Sequence, residues 1–180
     1  MSNITDRLFF AIRPDAAASE RIMALRSQLC AEQGLTGPLQ PAEQFLITLH
    51  HLGDFARFPQ ALVDKAMAAA ASLDVPAFDI VLDRAVSLKR REPRHLPCVL
   101  QAGEPLGPLK ALHQALIEAL KAAELYRYAA FVPQLPLLHD NIPVESQPLG
   151  PVGWRVSELL LINTRLASGE QQQLASWPLT

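Results

Sequence analysis

Residues 45–52 read Phe-Leu-Ile-Thr-Leu-His-His-Leu, an apolar and β-branched run that is expected to be a strand, closed by Gly53-Asp54. Side chains alternate along a strand, so Leu46, Thr48 and His50 are expected on one face, with Ile47, Leu49 and His51 on the other. The same type of segment recurs on either side. Arg7–Ile12 (RLFFAI) reads as a buried strand ended by the Arg13-Pro14 turn. Phe78–Leu88, Leu96–Gln101, Val152–Leu161 and Leu174–Leu179 are further strand candidates, and Phe131–Leu138 is an apolar run interrupted by Pro133 and Pro136. Helical spacing appears in three places: Ala16–Ala31 with Ile22, Leu25 and Leu29, Pro59–Leu73 with Leu62, Ala66 and Ala69, and Leu106–Ala123 with Leu109, Leu112, Leu116 and Leu120. This order puts helices outside antiparallel sheets, an α+β plan.

The chain has 180 residues, 49% hydrophobic and 19% charged, with a formal net charge of -2. That is the composition of a globular protein with one substantial core, and it argues against a general coat for duplex nucleic acid. No apolar run is long enough to span a bilayer, and the start does not read as a signal peptide. Cys30 and Cys98 stand alone, which excludes a redox pair or cysteine-rich zinc module and suggests a reducing cytoplasm. No glycine-rich phosphate loop, metalloprotease helix or calcium loop is present, and the five histidines lack metal-ligand spacing, so neither a metal nor a cofactor is expected. His50, beside an apolar strand and a threonine, is a candidate for phosphate binding or proton transfer. His113, next to a leucine stripe, reads as structural. Lys89, Arg90, Arg91, Arg94 and His95 form the densest basic cluster.

RLFFAI, FLITLHHLGDF, FVPQLPLLHDN and the closing WRVSELLLINT and WPL together resemble the 2H phosphoesterases, specifically the bacterial RNA 2',3'-cyclic phosphodiesterases, also called 2'-5' RNA ligases. The resemblance runs from Arg7 to Leu179. It implies one bilobal domain over 1–180, with two pseudo-symmetric α+β lobes of antiparallel sheet and outer helices around a central cleft. Each lobe of such a protein carries a His-x-Thr or His-x-Ser motif on a central strand. The two histidines act as general base and general acid on a cyclic phosphate that the hydroxyl residues hold.

This chain departs from that pattern. The first motif falls on Leu46-Ile47-Thr48 and the second on Gln134-Leu135-Pro136. Leucine carries no proton, glutamine has no useful pKa, and proline has neither hydroxyl nor backbone donor. The family reaction is therefore expected to be absent or strongly reduced. Thr48 and Gln134, with Arg13 and Arg127 nearby, are the expected ligands for an RNA end or a nucleotide with a terminal or cyclic phosphate. Alternatives are altered chemistry through His50 or His139, or a protein-interaction module whose cleft is filled. His139 lies five residues beyond Gln134, of opposite parity on a regular strand. Pro136 removes a ladder donor and is expected to bulge its strand or displace it to an edge.

Overall fold

The computed structural model describes residues 3–91 and 94–180. Eight strands and three long helices follow one another as β1 (Asp6–Ile12), α1 (Ala16–Gln33), β2 (Ile47–Phe55), α2 (Gln60–Ala71), β3 (Phe78–Ser87), β4 (Leu96–Gln101), α3 (Gly107–Ala122), β5 (Leu135–Asp140), β6 (Gln147–Val156), β7 (Glu158–Arg165) and β8 (Glu170–Pro178). The strands form two four-stranded sheets, ordered β2-β1-β7-β8 and β5-β4-β3-β6, with every pairing antiparallel. The α+β plan with two sheets and outer helices is thus the observed architecture.

Local chemistry accounts for the helix ends. The Asp15 side chain accepts from the Ala18 N–H at 2.8 Å and caps α1, while Gly34, at φ 68°, turns the chain out of it. Pro108 sits in the first turn of α3, where its missing N–H costs nothing. The α3 stripe Leu109, Leu112, Leu116 and Leu120 is fully buried, and so are Ile22 and Leu29 of α1. These residues join the inner faces of both sheets in one continuous core that includes Leu8, Phe10, Ile47, Leu82, Leu100 and Leu137.

Two expectations are corrected. Val152–Leu161 is two strands rather than one: β6 ends at Val156 in one sheet, and after Ser157 the chain enters β7 in the other. An apolar run cannot reveal such a crossing, because residues on both sides of it are buried. The strands carrying the two motif positions are also not central. β2 and β5 are the terminal strands of their sheets, and these edges lie side by side. That placement is what makes Pro136 tolerable, since edge strands and bulges are where proline fits a sheet.

Candidate functional site

Each edge strand contains an extra residue immediately after its motif position. On β2, Thr48 lies opposite Ala11 while His50 lies opposite Phe10, so Leu49 is the inserted residue. On β5, Pro136 lies opposite Val99 while Leu138 lies opposite Cys98, so Leu137 is inserted. Such a bulge breaks the alternation of side chains. The sequence reading is corrected here: His50 does not share the face of Thr48. It points with Phe10 into the helix-side core, 3% exposed, stacked on Tyr126 at 5.9 Å between centroids. Its Nε2 has no partner, and burial, then the neighbouring His113 and His51, hold its pKa below the usual histidine value.

The residue brought to the face of Thr48 is His51, opposite Phe9. A second inserted residue, Leu52, lies between His51 and Gly53, whose φ of 148° is open only to glycine. His51 Nε2 lies 3.0 Å from Asp54 Oδ1, and the same carboxylate takes two hydrogen bonds from Arg7 at 2.8 and 2.9 Å. The Arg7 bonds lead in pulling the Asp54 pKa down to about 2. The His51–Asp54 spacing of three is visible in the sequence, but its meaning depends on bulges that are not. On β5 the bulge likewise corrects the expected parity of His139. Paired with Pro97, two residues from Val99, it shares the face of Pro136. Burial first, then Arg90 and His95, lower its pKa.

Thr48, His50, His51, Gln134 and Pro136 line one cavity of about 280 Å³ between the edge strands, roofed by residues 129–132. Phe131 in that roof is anchored by stacking on His113, 4.1 Å between ring centroids, which gives His113 a structural role. The Gln134 carboxamide oxygen accepts from Gln101 Nε2 at 3.1 Å. Among the described residues the Thr48 hydroxyl and the Gln134 amide nitrogen have no protein partner, so both face the cavity as hydrogen-bonding groups.

Leu46 does not line the cavity. It is buried in a small apolar cluster with Phe9, Ala11, Leu160 and Ile162. Gln44, two residues earlier, donates to the Gly169 carbonyl at 3.1 Å and fastens this segment to the β7–β8 turn. Arg13 and Arg127 are exposed and are not among the residues lining the cavity. Of the expected ligands, the structure therefore brings together Thr48 and Gln134 but not the two arginines. No group of three or more metal-ligating side chains occurs among the described residues, and no helix of those residues is long and apolar enough to cross a membrane.

No family model matches the sequence, and no curated protein does. Solved structures do match over nearly the whole chain. A protein described as a phosphoesterase is 25% identical, covers 97% of this chain and 99% of its own, and superposes with a TM-score of 0.78. Escherichia coli LigT complexed with NADP+ is 25% identical over 98% of this chain and 99% of its own, with a TM-score of 0.77. LigT has also been crystallised with ATP, with 3'-AMP and with phosphate. A protein of Thermus thermophilus shares the fold at 18% identity and a TM-score of 0.74, over 96% of this chain and 97% of its own.

Proposed function

The chain belongs to the 2H phosphoesterase superfamily, and from that premise we propose that it is a non-catalytic member that binds a terminal phosphate of an RNA end or nucleotide in the cavity between β2 and β5. The observation that carries this reading is the contrast between the two positions where the superfamily has histidines. Leu46 is sealed in an apolar cluster, and Gln134 is tied to Gln101. Neither can accept or release a proton near neutral pH. His50 borders the cavity but is no ready substitute, because its ring is 3% exposed and stacked on Tyr126.

Binding is supported by what remains. Thr48 and Gln134 offer uncommitted polar groups to one concavity, a combination suited to phosphate oxygens. The nucleotides and phosphate seen with LigT are the same class of ligand. The free thiols Cys30 and Cys98 accord with a cytoplasmic setting.

The test is a turnover assay on an RNA ending in a 2',3'-cyclic phosphate, together with a phosphate titration followed by NMR. No product is expected from the natural protein. Phosphate is expected to shift the Gln134 side-chain amide saturably, and Thr48→Ala/Gln134→Ala to abolish the response. Absence of any shift in the natural protein would favour a filled cleft that serves protein contact.

A second reading rests on His51. It lines the same cavity and contacts a carboxylate, an arrangement that orients an imidazole for proton transfer. If product does form, this reading requires that His51→Gln abolish it while His50→Leu leaves it intact.

A further inference from the structure

Arg26 of α1 is 7% exposed, yet no carboxylate lies within ion-pair distance of it among the described residues. One nitrogen, Nη1, makes all its hydrogen bonds, donating to the Gln40 carbonyl at 2.6 Å and the Leu137 carbonyl at 3.0 Å. The guanidinium carbon lies 5.2 Å from the centroid of the Phe45 ring. These contacts hold the group in place without neutralising it. Nε and Nη2 have no protein acceptor, and neither is among the buried atoms closed off without a partner. Arg26 lines a cavity of about 340 Å³ together with Ser27, Cys30 and Thr36.

A buried cation without a counter-charge is costly, and proteins normally complete it with an anion. The nearby carboxylate is Asp140, but its oxygens are already used. Oδ2 accepts from the N–H groups of Thr36 at 2.9 Å and Gly37 at 2.7 Å, and Oδ1 from Ile142 at 2.9 Å. Asp140 is therefore committed to backbone N–H groups, those of the lining residues Thr36 and Gly37 among them, instead of pairing with Arg26. The Nε–Nη2 edge of a guanidinium presents two parallel N–H groups whose spacing matches the two oxygens of a carboxylate or phosphate. We infer that this cavity, bounded by α1 and residues 35–39, is a binding site for a small oxyanion held in bidentate fashion by Arg26. The volume admits an ion of phosphate size or a short carboxylate.

The experiment uses the full chain labelled with 15N, titrated separately with inorganic phosphate and with malonate. The signal is the Arg26 Nε–H resonance, and a second readout is the rate at which iodoacetamide alkylates Cys30 at the cavity wall. Cys98 does not interfere, being buried with its thiol pushed up to about 11 by that burial. The resonance is expected to shift saturably, and alkylation to slow about tenfold at ten times the half-saturating concentration. Response to only one probe identifies the oxyanion as phosphate-like or carboxylate-like. Cys30→Phe, or Ser27→Tyr at the rim if the first does not fold, should abolish the Arg26 response while Gln134 still responds to phosphate. This separates the site from the cavity between the edge strands. An Arg26 resonance unmoved by both probes, or one that still responds after the cavity is filled, would overturn the inference.

Discussion

The two edge strands share a backbone device and differ in what they hang on it. Thr48, Leu49 and His50 on β2 match Pro136, Leu137 and Leu138 on β5, each set containing one inserted residue opposite the inner strand of its sheet. The first lobe places an imidazole in the core where the second places a leucine, and seals an apolar residue at Leu46 where the second leaves the half-buried Gln134. The first lobe also locks His51 to Asp54 and Arg7, whereas His139 has two basic neighbours. The distortion of the strand is therefore independent of any particular side chain. It positions the edge, while the side chains presented on that edge differ between the lobes.

This comparison can be broken most severely by moving the imidazole across. Leu138→His puts a polar ring at a position with no exposure and is expected to destabilise the protein by roughly 3 kcal/mol in urea unfolding. A loss under about 1 kcal/mol would mean the second lobe yields more than its packing suggests. Next comes the contrast at the motif positions. Leu46→His enters a closed apolar cluster and should cost about 2 kcal/mol, but Gln134→His, beside a cavity, should stay within about 0.5 kcal/mol. Equal costs would erase the distinction drawn between the lobes.

Asp54→Asn removes the lock of the first lobe and is expected to cost about 1 kcal/mol at pH 7, allowing for partial exposure of the pair. Because the folded-state pKa is depressed to about 2, this contribution is present above the ordinary carboxylate value of 3.8 and fades as pH falls toward 2. Unfolding curves of the variant and the natural protein should therefore converge in acid.

A small effect is also expected for His50→Leu, which copies Leu138 into the first lobe. It removes an unpartnered Nε2, so stability at pH 7.5 should change by less than about 1 kcal/mol in either direction. Its signature is in the pH dependence. His50 has a folded pKa below 6.5, so as pH drops through 6.5 the unfolded chain takes up the proton first and the native state loses ground. His113 and His139 act with the same sign. The variant should show a shallower loss between pH 7.5 and 5, and an unchanged slope would remove His50 from this account.

Strands β1 and β4 were legible in the sequence as short continuous apolar runs, and the buried stripe of α3 by its helical spacing. The inserted residues were not. Leu49 and Leu137 look like ordinary apolar strand residues, and only the register against β1 and β4 shows that they are extra. That is why alternation assigned His50 to the face of Thr48 and overlooked His51. Arg26 was hidden for a related reason: an arginine on a helix reads as exposed, and the Leu137 carbonyl that receives it comes 111 residues later. The motif positions were legible as residues, but whether each was open or sealed was decided by distant partners such as Leu160 and Gly169.

The passage through Ser157 also governs the order in which the sheets can be completed. All strands of the β5-β4-β3-β6 sheet lie between Phe78 and Val156, so that sheet has its full complement before β7 is synthesised. β1 must then wait for β7, as Phe9 pairs with Ile162 across more than four-fifths of the chain. Closing so long a loop is slow relative to local pairing. Until β7 is made, β2 is the one native partner available to β1. The second sheet is thus a continuous insert in the first, which is completed by the β7–β8 hairpin.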